Sequence, residues 1–235
     1  MRRLGIIGGT GPESTVEYYR RLIARFRAIT GGTGAPWMII NSIDNREIID
    51  LFTFGQLGRV ADLLTREIKR LAEAGADFAL IAANTPHLVF DEVQARSRLP
   101  LLSIVKATCD AADTAGLERL ALFGTRFTMQ AAMFPDAFAR RNLTIIVPNE
   151  EEQEFIHAKY MGELFVGTIR DETRAALLEI VEAMKQRDRI DGLILGGTEL
   201  SLIFREPTAA GLPVLDTTQI HVEAAIAWLL RSEAL

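Results

Sequence analysis

The sequence predicts an α/β fold built from two similar doubly wound lobes. Three observations carry that prediction. Short apolar runs alternate with longer amphipathic stretches along all 235 residues. Most of those runs are apolar on successive positions, so both faces of each strand must be covered, as in a parallel sheet with helices on either side. And several landmarks recur in the second half of the chain at nearly one offset.

The strands are expected at residues 4–7, 37–41, 78–81, 101–105, 120–123, 143–147, 192–195 and 214–215. Between them, 14–29, 57–74, 172–187 and 221–230 place apolar residues at helical spacing, and Gly75 stands as a stop signal behind the second. Strands alternating with helices give an α/β architecture. The repeat is read from three pairs. Ile6-Ile7-Gly8-Gly9-Thr10 resembles Leu122-Phe123-Gly124-Thr125, and Leu80-Ile81-Ala82-Ala83-Asn84-Thr85 resembles Ile194-Leu195-Gly196-Gly197-Thr198. Leu99-Pro100-Leu101-Leu102 resembles Leu212-Pro213-Val214-Leu215. The offsets are 115 from Thr10 to Thr125 and 113 from both Thr85 to Thr198 and Pro100 to Pro213. The expected division is one lobe of 1–98 plus 213–235 and another of 99–212.

Composition removes several classes of function. Apolar residues are 49% and charged residues 24%, ordinary for a globular protein with a core large enough to need no staple. A single cysteine, Cys109, excludes an internal disulfide and a clustered-cysteine zinc site. His87, His157 and His221 are far apart and lack metal-ligand spacing, so no metal is expected. A net charge of −5 argues against nucleic acid or an anionic membrane as partner. No apolar run approaches the ~18–20 residues of a membrane span. Met1-Arg2-Arg3 is followed by an apolar stretch that stops at Gly8-Gly9, too short for a signal peptide, so a cytoplasmic protein is expected.

Ligands of parallel α/β sheets bind beyond the carboxyl ends of the strands. Three turns have the required small residues followed by a hydroxyl or amide. In the first, Gly8-Gly9-Thr10-Gly11-Pro12, the glycines allow close approach of backbone N–H groups and the helix behind favours an anion. It is neither a phosphate loop nor a full dinucleotide fingerprint. It also reads as a tight turn with Ser14 or Thr15 as helix cap. The second, Ala83-Asn84-Thr85-Pro86-His87, and the third, Gly196-Gly197-Thr198-Glu199-Leu200, are repeat equivalents. A pseudo-twofold would set them facing across an inter-lobe cleft, there to hold a small carboxylate from two sides. The plainer alternative is that Asn84 and Thr85 cap a helix. Arg46, in Asp44-Asn45-Arg46-Glu47, is either a carboxylate clamp or part of a solvated charge run. Of Tyr18 and Tyr19, one is expected in the core. Cys109 reads as a buried, inert thiol near a helix start, and His157 and His221 read as surface or structural residues.

These motifs together resemble the aspartate/glutamate racemase family, which works without pyridoxal phosphate. The resemblance runs over Gly5-Ile6-Ile7-Gly8-Gly9-Thr10-Gly11-Pro12-Glu13-Ser14-Thr15, the paired tyrosines and Asn84-Thr85-Pro86-His87. It continues over Leu122-Phe123-Gly124-Thr125-Arg126-Phe127-Thr128-Met129, Thr198-Glu199-Leu200 and Asp216-Thr217-Thr218-Gln219-Ile220-His221. It implies two flavodoxin-like lobes related by a pseudo-twofold, a small amino acid or related carboxylate between them, no cofactor, and a homodimer. Gly9, Thr10, Arg46, Asn84, Thr85 and Thr198, singled out by the turns, are the expected substrate-binding residues.

The family's isomerase chemistry needs two acid/base groups on opposite faces of the substrate's α-carbon. They are usually two cysteines, one before the Asn-Thr of the second turn and one before the Thr-Glu of the third. Here Ala83 and Gly197 stand at those positions. Some relatives carry threonine at the first; loss of both groups is a different matter. Two-thiol racemisation is therefore predicted absent or very weak. Three explanations follow: an isomerase or lyase acting through Glu199 or His87, a non-catalytic carboxylate binder, or an engineered double variant. Phe165, where the family often sets a polar residue, hints at a less polar distal pocket.

Overall fold

A computed structural model of the chain describes residues 1–231. It divides into two compact units, Met1–Ile104 resumed at His221, and Val105–Ile220. In the first unit β1 (Leu4–Gly8), α1 (Pro12–Thr30), β2 (Met38–Ser42), α2 (Asn45–Thr53), α3 (Leu57–Glu73), β3 (Phe78–Ile81), α4 (Phe90–Arg96) and β4 (Leu101–Leu102) follow in order, with a single 3-10 turn over Thr85–Val89. The strands form one parallel sheet in the order β2-β1-β3-β4. Leu4 aligns with both Met38 and Phe78, and Ala79 with Leu101.

Both faces of this sheet are sheathed, as the continuous apolar runs require. Ile7, Ala79 and Ile81 pack with Val60, Leu64, Ile68 and Val93. Leu4, Ile6, Phe78 and Leu80 point the other way, onto Tyr18, Leu22, Val222 and Ile226. Adjacent residues of one strand thus serve opposite layers, the period of two that a pleated strand imposes.

The second unit begins in α5 (Ile104–Thr114) and continues through β5 (Arg119–Phe123), α6 (Arg126–Met129), α7 (Met133–Ala139), β6 (Thr144–Ile146), α8 (Glu150–Gly162), α9 (Asp171–Asp188), β7 (Gly192–Leu195), α10 (Leu200–Ile203), β8 (Thr208–Ala209) and β9 (Leu212–Asp216). α11 (Thr217–Leu230) spans the return to the first unit. The sheet order is β6-β5-β7-β9-β8, parallel except for the short antiparallel β8. Without β8 the order repeats that of the first unit, strand for strand, and it is the flavodoxin-like beginning 2-1-3-4.

Two expectations are corrected. The run at 101–105 is strand only at Leu101–Leu102, and Ile104 and Val105 begin a helix. A buried apolar run does not by itself distinguish strand from buried helix. The unit boundaries fall after Ile104 and after Ile220, later than 98 and 212. The reason is pairing: β4 hydrogen-bonds to β3 and β9 to β7, so each closing strand completes the sheet the chain is leaving. Residues 232–235 of the expected first lobe lie outside the described residues. Among the described residues no helix is long and apolar enough to cross a membrane.

On α3 the core face is set by Val60, Leu64, Ile68 and Leu71, while Leu57 remains 41% exposed. Leu64→Ala should cost about 2–5 kcal/mol of unfolding free energy because the site sits in a closed core. Leu57→Ala should change it by no more than about 0.5 kcal/mol. Urea denaturation of the two variants checks the contrast.

Candidate functional site

The first turn is shaped by a backbone that only glycine tolerates. Gly9 has φ +88°, and a β-carbon there would lie 2.6 Å from the amide nitrogen of Ile43 and closer still to its carbonyl oxygen. The Gly9 N–H donates to Thr15 Oγ1 at 2.8 Å, and that hydroxyl donates to the carbonyl of Gly11. Ser14 Oγ donates to the carbonyl of Ala82 at 2.8 Å, tying the first turn to the second. Ser14 and Thr15 are therefore braces and not caps, which corrects the alternative reading of this turn. Gly11 occupies the N-cap position with no side-chain bond and Pro12 opens the helix. The first N–H groups of α1 are left without a side-chain acceptor, at the positive end of the helix dipole. Thr10 Oγ1 is buried and makes no hydrogen bond.

The second turn follows β3 on the neighbouring strand. Asn84 is buried at the head of the 3-10 turn and its side chain makes no capping bond, so capping does not account for it. Ala83 and Thr85 are half-buried beside it. Arg46 lies in the first turn of α2, behind β2, and is exposed; Asp44 accepts its backbone N–H as the N-cap. Gly9, Thr10, Arg46, Asn84 and Thr85 thus all follow the carboxyl ends of adjacent strands of one sheet.

His87 does not fit the acid/base role expected of it. Its Nε2 accepts the N–H of Ile104 at 3.2 Å, so the ring proton resides on Nδ1, which donates to the carbonyl of Ala83 at 2.9 Å. Both nitrogens are engaged by main chain, and the ring stacks on Phe90 with centroids 5.0 Å apart. Burial lowers its pKa to about 4, keeping it neutral. His221 is held the same way. Its Nε2 donates to the carbonyl of Leu102 at 3.0 Å, and Nδ1 accepts from the hydroxyl of Tyr18 at 2.8 Å. Burial, and then the nearby His87, lower its pKa to about 3. Both rings are internal ties of the first unit. Tyr18 is the core tyrosine and Tyr19 the exposed one.

The third turn follows β7 in the second unit, and Gly196, Gly197, Thr198 and Glu199 are all buried. A β-carbon at Gly197 would lie 2.9 Å from both Cζ and the hydroxyl of Tyr160, and closer still to Cε2. The Tyr160 hydroxyl donates to Glu199 Oε2, and Thr198 Oγ1 donates to the same oxygen at 2.7 Å. Ser201 Oγ pins the turn through the carbonyl of Thr198. Burial raises the pKa of Tyr160 far above the ordinary phenol range, and the charge of Glu199 raises it further. Tyr160 comes from α8, a segment that carries no sequence motif, and the sequence offers no signal for it.

The remaining candidates are structural. Cys109 is buried in the middle of α5; burial raises its pKa, and its thiol faces the carbonyl of Ala137 at 3.6 Å. His157 is half-buried and accepts the N–H of Arg126. Phe165 packs against the core of the second unit, so it is a core residue first.

Comparison with known proteins gives a consistent picture. The family model described as Asp/Glu/Hydantoin racemase matches residues 7–225. The crystal structure of an aspartate racemase homologue from Pyrococcus horikoshii superposes with a TM-score of 0.86 at 34% identity, covering 98% of this chain and 100% of that one. Picrophilus torridus aspartate racemase shares the fold at a TM-score of 0.74 and 21% identity, over 97% and 94% of the two chains. A broad specificity amino-acid racemase of Bacillus subtilis is 21% identical over 97% of this chain and 98% of its own length.

The two neutral histidines carry a pH signature. Each binds a proton less tightly when folded than when unfolded, so the unfolded chain takes up more protons below its pKa and stability falls with pH. The contribution is complete above about pH 6.5 and is lost as pH drops toward the folded values of about 4 and about 3. The slope should reach ~1.4 kcal/mol per pH unit for each ring. Urea midpoints should decline between about pH 7 and about pH 5; a flat profile would contradict the neutral assignment.

Proposed function

Since the chain belongs to the Asp/Glu/hydantoin racemase family, we propose that it takes a small amino acid or related carboxylate at its strand-end turns without pyridoxal phosphate. In this reading racemisation through two thiols is absent or very weak. One observation supports it above the others. The turns keep donors suited to a carboxylate, at Thr10, Asn84 and Thr85, while Ala83 and Gly197 hold no proton-transfer group; the Thr198 hydroxyl, expected among those donors, is given to Glu199.

Inversion at a carbon centre needs a base on one face and an acid on the other. Alanine and glycine provide neither. Cys109 does not replace them, because it is buried within a helix against a backbone carbonyl. His87 does not replace them while main chain occupies both of its nitrogens. A second reading, an isomerase or lyase using a single carboxylate, is favoured by Glu199, which is buried and among the described residues pairs with no cation. The resemblance further suggests a homodimer, and we take the protein to be cytoplasmic.

The test is a thermal-shift and calorimetric screen of free L- and D-amino acids and small dicarboxylates, paired with chiral chromatography of each reaction. A compound at about a hundred times its dissociation constant should add ~2.7 kcal/mol to the native state. Asn84→Ala and Thr10→Val should each weaken it by roughly tenfold or more, the worth of one hydrogen bond to a charged group. Fast interconversion of aspartate or glutamate enantiomers would defeat the proposal.

A further inference from the structure

Gly197 is not an empty place. The ring of Tyr160 occupies the space that any side chain at 197 would need, and its hydroxyl reaches the carboxylate two residues on. Resting on the reading that a small amino acid binds at these turns, we propose that Glu199 is a single proton-transfer group aimed by Tyr160, and that it exchanges the ligand's α-hydrogen with retention of configuration.

The argument begins with a contrast. Two glutamates are buried to the same degree, Glu67 and Glu199. Glu67 is neutralised in the way a structural carboxylate must be: Arg66 and Arg70 donate to it at 2.7–2.9 Å, and Asn41 adds an amide bond at 2.9 Å. Among the described residues Glu199 pairs with no cation, only with the hydroxyls of Tyr160 and Thr198. A buried carboxylate without a counter-charge costs stability, and such sites concentrate where chemistry is done. Both hydroxyls converge on Oε2 and neither bonds Oε1. One oxygen is thus fixed in place by neutral donors, and the other is left to meet a ligand.

The step balances without a co-reactant. The α-carbon–hydrogen bond breaks and its proton passes to Oε1 of Glu199. The electron pair left on carbon delocalises into the ligand's own carboxylate as an enediolate. Glu199 exchanges its proton with solvent and returns one to the carbon, re-forming the bond. A single group delivers the proton to the face from which it took one. Tyr160 is a positioning residue: its ring fills the place of a side chain at 197 and its hydroxyl orients Oε2.

The experiment uses the full chain in deuterated water, with L- and D-amino acids as probes and aspartate and glutamate first among them. Exchange is followed by proton NMR, configuration by chiral chromatography, and binding by thermal shift in parallel. The expected result is α-deuterium incorporation without inversion for the compounds that stabilise the protein. Glu199→Gln should abolish exchange while leaving the thermal shift in place. Tyr160→Phe keeps the ring but removes the hydroxyl; it should lower the exchange rate at saturation about tenfold or more, with half-saturation changed less than about twofold. A merely structural tyrosine would leave that rate alone. Gly197→Ala should lower the melting temperature, and Tyr160→Val in the same chain should restore part of it. If no probe stabilises the protein, the binding reading fails and this one with it. Stabilisation without exchange in the unmodified chain overturns this inference alone, as does exchange with inversion or exchange that survives Glu199→Gln.

Discussion

A parallel strand sheathed on both faces can present polar groups only at its ends. That constraint governs this molecule. Every residue of β1, β3, β7 and most of β5 is buried, and their side chains serve two apolar layers at once. The backbone is consumed by the ladders. What remains for recognition is the short segment where each strand stops, and in both units those segments carry glycine and threonine, joined in the first by Ala83 and Asn84. Small residues are needed because the next helix must start within a few positions. Gly9 makes the point physically, since its positive φ and the backbone of Ile43 together forbid a side chain.

Once a turn is buried, each polar atom in it has to be satisfied, and that requirement sorts support from function. Ser14, Thr15 and His87 spend their hydrogen bonds on main chain, and His221 divides its two between the carbonyl of Leu102 and the hydroxyl of Tyr18. The histidines are instructive because their chemical versatility is given up. Burial favours the neutral ring, and a neutral ring has one donor and one acceptor, which an N–H group or a hydroxyl on one side and a carbonyl on the other use completely. Among the described turn residues, Thr10 Oγ1 and Asn84 Oδ1 in the first unit accept or donate no bond, and in the second the hydroxyls on Glu199 both take Oε2 and leave Oε1 aside. Each belongs to a turn that follows a central strand, where an α/β sheet binds its ligands.

The sequence reveals the strands well because burial on both faces writes itself as unbroken apolar runs. Residues 78–81 and 192–195 are read to the residue. The repeat is readable for the same reason, as the topology of the two sheets repeats. The shorter helices are harder. α8 has almost no amphipathic pattern, and the capping box formed by Asn149 and Glu152 is the only local sign of where it begins. The unit boundaries depend on long-range pairing of β4 and β9, which no local pattern expresses. At the site, the turn residues are readable because glycine and threonine have specific backbone uses. The histidines' engagement and the Tyr160 contact are not, because each depends on a partner far away in sequence: 17 residues for His87 and Ile104, 39 for Tyr160 and Glu199.

That distance changes what Gly197 means. Read alone, a glycine at that position is a deletion, a site that has lost its thiol. Placed against Tyr160, it is one half of a steric pair. A cysteine at 197 would collide with the ring through its β-carbon before its sulfur was considered, so one exchange there does not rebuild a thiol site. The reverse also holds. Removing the ring while keeping glycine would leave a cavity in a packed region and take away one of the two donors on Glu199, and both cost free energy. Neither the glycine nor the ring can be exchanged alone without cost, and the hydroxyl on that ring holds the carboxylate of Glu199. A chain that had only lost a function would need no such arrangement. Packing alone would be satisfied by an apolar side chain in place of Tyr160, and nothing in packing calls for a phenol donating to a buried, uncompensated carboxylate.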